Sequence, residues 1–116
     1  MAFIGQFNLQ TTKYLYSLLA VVTKSENIPS EFKLFQNFPN PFNPKTNIEF
    51  SIPKSEFVTL KVYNALGEEV ATLVSEKLAA GQYKYDWDAS GLASGVYLYK
   101  LQTENFVEIK KMLLIT

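Results

Sequence analysis

The chain has 116 residues, 47% of them hydrophobic and 19% charged, which suits one globular domain and excludes a disordered tail or a bundle of membrane spans. Its 11 basic residues are all lysine and balance 11 acids, so net charge gives no drive toward nucleic acid or anionic lipid, and no arginine fork is present for phosphate. Cysteine and histidine are both absent, which removes disulfides, thiolate nucleophiles, zinc–sulfur sites and the commonest general base and metal ligand. Catalysis would fall to Asp, Glu, Lys, Tyr and Ser alone, so the composition points to a protein that is not an enzyme and needs no cofactor.

Residues 1–31 differ from the rest. Lys13 precedes an apolar run from Tyr14 to Val22, with Tyr14, Leu15, Leu18, Leu19 and Val22 on one helical face. The run is too short to cross a bilayer. Two readings fit it: the core of a secretory signal peptide, with weak basic flanks and no A-x-A-like cleavage site, or a short helix. Lys24 to Glu31 is polar, contains Pro29 and reads as a linker.

A second unit runs from residue 32 to 116 and has the pattern of an all-β domain. Phe38-Pro39-Asn40-Pro41-Phe42-Asn43-Pro44 places three prolines within six residues, which predicts a rigid, extended arm with Phe38 and Phe42 as plugs. The arm suits either a polyproline-type ligand or a cover over a sheet edge. Asn47 to Pro53 alternates, with Ile48, Phe50 and Ile52 on one face. Phe57 to Tyr63 alternates again, with Val58, Leu60 and Val62 inward. Asn64 to Gly67 forms a turn, and Glu69 to Val74 is a short strand. After a turn at Ala79-Ala80-Gly81, Gln82 to Asp88 sets Tyr83, Tyr85 and Trp87 against Lys84, Asp86 and Asp88. Trp87 is the expected core anchor. Ser90-Gly91 and Ser94-Gly95 bracket a loop. Val96 to Leu101 is apolar on both faces and reads as a central strand. Thr103 to Asn105 is a hairpin loop, and Phe106 to Ile115 is the final strand. Short strands with turns every 8–12 residues or so predict an antiparallel β-sandwich of six or seven strands.

Two further groups carry candidate chemistry. Asp86 and Asp88 share one strand face, about 6.6 Å apart along the axis. They could make a calcium contact or an acid/base pair, but no Gly-rich ligand loop accompanies them, so a solvated outer face beside Trp87 is the expected reading. The tail Lys110-Lys111-Met112-Leu113-Leu114-Ile115-Thr116 is a basic pair followed by an apolar run. As the last core strand it would carry lysines on its exposed side. As an ordered edge it would offer a handle to a receptor that adds a strand.

The region from about Phe35 to Thr116 resembles the type A C-terminal sorting domain of the bacterial type IX secretion system. The motifs occur in the family's order: Phe38 to Pro44, Ile48 to Pro53, Val58 to Asn64 with Leu66 to Val70, then Gly81, Trp87 and Asp88, then Ser94-Gly95-Val96-Tyr97-Leu98-Tyr99, then Lys110 to Thr116. The resemblance implies an immunoglobulin-like sandwich, preceded here by the signal-like or helical segment. It implies a non-catalytic signal of Bacteroidota and related bacteria, read as a folded domain by an outer-membrane translocon and removed by a sortase. The protein would then be secreted or displayed at the cell surface after passing through the periplasm. Its partners would be that translocon and sortase, with no nucleic acid or small-molecule substrate, and monomer is the default state. Pro39, Asn40, Pro41, Phe42, Asn43, Pro44, Gly67, Trp87, Gly95 and Tyr97 would be structural, and Lys110 to Thr116 would be the recognised end. Such domains normally follow a large cargo, whereas only about thirty residues precede this one. The competing reading is a carbohydrate-binding or adhesion sandwich, for which Tyr83, Tyr85, Tyr97 and Tyr99 would have to form an exposed row.

Overall fold

Two-residue alternation becomes strand because successive β-residues turn their side chains to opposite faces. A computed structural model describes residues 28–116, so the Tyr14–Val22 run and both readings of it lie outside the described residues. Seven strands follow in order: β1 (Lys33–Leu34), β2 (Lys45–Ile52), β3 (Glu56–Tyr63), β4 (Glu69–Leu78), β5 (Gly81–Asp88), β6 (Gly95–Gln102) and β7 (Val107–Leu114). They form an antiparallel three-stranded sheet, β1-β2-β5, and an antiparallel four-stranded sheet, β4-β3-β6-β7.

The inward faces make one core. Ile48, Phe50 and Ile52 of β2 meet Val58, Leu60 and Val62 of β3 and Tyr99 and Leu101 of β6, all fully buried. Trp87 is buried at the end of β5, its ring 5.8 Å from Phe42 and 6.0 Å from Tyr97. Tyr83 and Tyr85 stack on Phe50 at 5.4 and 5.9 Å, while Lys84, Asp86 and Asp88 face solvent, as the alternation predicts. No Tyr row lies exposed: Tyr97 and Tyr99 are buried and Tyr83 and Tyr85 half-buried.

Four details depart from the sequence reading. The two-residue β1 pairs Lys33 with Ser51 and Leu34 with Phe50; a strand that short leaves no periodic signature. β4 runs on to Leu78, because Ser75, Glu76 and Lys77 keep pairing with Thr59, Val58 and Phe57 along an edge where polar side chains reach water. β6 is central, between β3 and β7, but its outward Val96 and Leu98 are only partly covered, since no element among the described residues packs on that face. The proline arm is bent at 39–41 and 43–44, with its X–Pro bonds cis, and it is not extended. Its course is dictated by two anchors on different sheets. Phe38 exchanges backbone hydrogen bonds with Asn47 of β2, and Phe42 bridges to Leu114 of β7.

Local chemistry shapes the turns. Asn64 Oδ1 accepts from the N–H groups of Leu66 and Glu68, both at 3.0 Å, and Gly67 takes a φ of +87° that side-chain-bearing residues rarely adopt. At the far end Glu56 accepts from Asn105 Nδ2 at 2.6 Å and from the Glu104 N–H at 3.1 Å. These contacts tie the β6–β7 hairpin to the start of β3. They, with Thr103 and Lys54, hold the Glu56 carboxyl below its ordinary value despite an opposing push from burial.

Candidate recognition site at the last strand

β7 is an edge strand, and an edge exposes unpaired N–H and C=O groups. Thr103 donates to Phe106 O at 2.8 Å, so in this antiparallel register the even-numbered residues of β7 bond to β6. The odd ones turn their backbone outward. Near the end of the chain those outward groups are already taken by the arm. Leu113 N–H donates to Asn40 Oδ1 at 3.0 Å, Leu113 O accepts from Phe42 N–H at 3.0 Å, and Ile115 N–H donates to Phe42 O at 2.9 Å. Gln36 Nε2 donates to Lys111 O at 2.7 Å. The strap is held by its side chain as well: Phe42 is 2% exposed, packed against Trp87.

A buried polar cluster fixes the root of the strap. The Tyr99 hydroxyl donates to Phe35 O and accepts from Asn37 N–H, each at 2.8 Å. Asn37 Nδ2 reaches Thr46 Oγ1 at 3.0 Å and Pro39 O at 3.1 Å, and the Thr46 hydroxyl also donates to Pro39 O. Every member is satisfied, so the cluster adds rigidity without an orphaned group. Burial pushes the Tyr99 phenol up to about 12. The terminus itself is pinned: Thr116 N–H donates to Ser94 Oγ at 2.9 Å, and the two hydroxyls lie 2.6 Å apart. Gly95, opposite Leu114, has a φ of +151°, which lets β6 start beside that clasp.

The structure brings Pro39–Pro44, Gly95, Tyr97 and the tail together, with Trp87 beneath Phe42. Gly67 lies apart in the β3–β4 turn. Two expectations change. Phe38 is 76% exposed and is no plug, because its backbone pairing with Asn47 turns the ring to solvent. Lys110 and Lys111 do not share a side of β7, because adjacent strand residues cannot. Lys110 faces the inner side and lies 3.4 Å from Glu108, while Lys111 is exposed on the outer face. The strap residues Gln36 and Asn40 carried no signal for this contact. Pairing across about seventy residues has no local periodicity.

Asp86 and Asp88 line a separate open groove of about 460 Å³ with Lys45, Thr46, Asn47 and Trp87. Asp86 accepts from Asn47 Nδ2 at 2.9 Å, and the Ser90 hydroxyl and N–H hold the Asp88 carboxyl below its ordinary value. A general acid needs the opposite shift. Asp88 acts instead as the cap of the turn that follows β5. Among the described residues no group of three or more acidic side chains is placed to hold a metal ion, and no helix is long and apolar enough to cross a membrane.

A family model described as the secretion system C-terminal sorting domain matches residues 36–115. No curated protein matches the chain. The matched span opens at Gln36, the first strap residue bonded to β7, and closes at Ile115, whose N–H bonds back to Phe42.

Proposed function

Since this chain belongs to the secretion system C-terminal sorting domain family, we propose that residues 32–116 are a non-catalytic address, read in the folded state by the type IX outer-membrane translocon. Membership places the protein among those secreted or displayed at the cell surface. The finer steps are our reading: passage through the periplasm, recognition by the translocon, and removal of the domain by its sortase, in a bacterium of the Bacteroidota type. The observation that carries it is the ordered C-terminal end. Recognition after folding requires a surface of fixed shape, and here the last residue is clasped to Ser94 and the last strand is strapped by Phe42. Chain ends otherwise fray.

The two-sheet order also supports an immunoglobulin-like reading. β5 returns to pair with β2, and β6 crosses back to β3. The Tyr97 hydroxyl donates to Ala93 O, four residues upstream in the loop just before β6, at 2.7 Å. That bond has the form of the tyrosine corner found in such sandwiches. A sugar-binding module lacks support, because its stacking rings would have to be exposed and the rings of Tyr83, Tyr85, Tyr97 and Tyr99 are wholly or partly covered.

The test is a reporter carrying an export signal, fused ahead of residues 32–116 and expressed in a type IX-competent bacterium. The expected result is reporter at the surface or in the medium, with the domain removed. Reporter held in the periplasm, with the domain folded and intact, would overturn the reading.

A further inference from the structure

A receptor can read an edge strand by adding a strand of its own, which needs open N–H and C=O groups. At the end of β7 those groups are used: Leu113 on both sides and Ile115 N–H bond to Asn40 and Phe42. What remains is side chains, and alternation selects them. Met112 and Leu114 are buried toward the other sheet, and Lys110 faces the same way. Lys111, Leu113 and Ile115 project outward, Leu113 at 38% and Ile115 at 49% exposure. Val96 stands across from Leu113 on β6 and is also exposed.

The patch has a groove and a charge. A recess of about 200 Å³ is lined by Asn40, Val96, Lys111, Met112 and Leu113. Two donors border it. Lys111 forms no ion pair among the described residues. Asn40 spends its oxygen on Leu113 N–H, which leaves its Nδ2 hydrogens for a partner. The outward positions of β6 and β7 hold Lys100 and Lys111 and no acid. An aliphatic surface with two donors and no acidic side chain complements an apolar surface bearing a carboxylate.

We propose that the translocation machinery docks on this outer β6–β7 patch, placing a carboxylate at Lys111 and Asn40, and does not extend the sheet at the last residues. The inference rests on the sorting reading above and splits the tail into two sets. Lys111, Leu113 and Ile115 are read; Met112 and Leu114 hold the fold, and Lys110 is not read.

The test uses the full chain behind an exported reporter, in the same host, with melting temperature measured for each variant. Lys111→Glu should lower export by about tenfold or more at unchanged melting temperature, as loss of a central charged contact does. Leu113→Gln with Ile115→Gln should do the same. Lys111→Arg and Lys110→Gln should export like the parent. If the parent fusion stays in the periplasm, the sorting reading itself falls. If the parent is exported and Lys111→Glu is exported equally, the patch is not the docking face. Vesicles of phosphatidylglycerol supply the remaining arm: parent chain that co-sediments with them, and Lys111→Glu that does not, would assign the face to lipid and overturn the protein-docking proposal.

Discussion

Phe42→Ala isolates the role of the strap. The ring is 2% exposed and lies 5.8 Å from Trp87, so truncation removes a buried aromatic and leaves a cavity between strap and core. Such losses run about 3–5 kcal/mol. A domain of this size is stable by roughly 0.05–0.15 kcal/mol per residue, so the change takes a large share of the total. Each kilocalorie moves the midpoint by about 4–8 °C at this length, which predicts a fall of roughly 12 °C or more. The backbone bonds from residue 42 to Leu113 and Ile115 survive the substitution on paper, so any loss beyond the cavity reports loosening of the β7 edge. The assay is urea unfolding followed by far-ultraviolet circular dichroism, with Trp87 fluorescence as a second probe whose baseline will shift. Phe38→Ala is the matched control: the same residue type on the same strap, 76% exposed, should change stability by no more than about 0.5 kcal/mol. A Phe42→Ala loss under about 1 kcal/mol, or equal losses at both positions, would refute the strap as the element that closes the sandwich.

The polar contacts of Tyr99 and Glu56 and the turn at Gly67 give four more outcomes. Tyr99→Phe strands Asn37 N–H and Phe35 O and should cost about 1–3 kcal/mol in chemical denaturation, whereas Tyr83→Phe, whose hydroxyl bonds Ala79 O at the surface, should cost much less. Because burial raises the Tyr99 phenol to about 12 from an ordinary 10, its contribution is complete below pH 10 and is lost as pH rises toward 12; Tyr99→Phe should flatten that alkaline fall in a melting series. Glu56 has the opposite sign: the Asn105 amide, with lesser help from Thr103, the Glu104 N–H and Lys54, holds it below 4.5, so its contribution is present above that value and lost as pH drops below it, and Glu56→Ala should remove this acid dependence and speed amide exchange at Glu104. Gly67→Ala forces a side chain into a φ of +87° and should destabilise by about 1–2 kcal/mol, read from the shift in denaturation midpoint; an unchanged midpoint would mean that the turn has another backbone form.

Much of the architecture was legible residue by residue. Ile48, Phe50 and Ile52, then Val58, Leu60 and Val62, then Tyr83, Tyr85 and Trp87 each declare a face, because strand geometry links every second position whatever the partner strand is. Asn64 and Gly67 declare their turn because side-chain hydrogen bonding and positive φ are local properties. Which of two chemically equal groups went inside was not legible. Phe38 and Phe42 have the same ring, each between a proline and an asparagine, yet one is solvent-facing and the other sits on Trp87. Lys110 and Lys111 are identical side chains; alternation puts them on opposite faces, and only the register of β7 on β6 decides which of them faces inward. The closing of the β7 edge by Gln36, Asn40 and Phe42 belongs to the same class. It depends on contacts more than seventy residues apart, and those exist only once two sheets have packed and brought the strap to the strand that ends the chain.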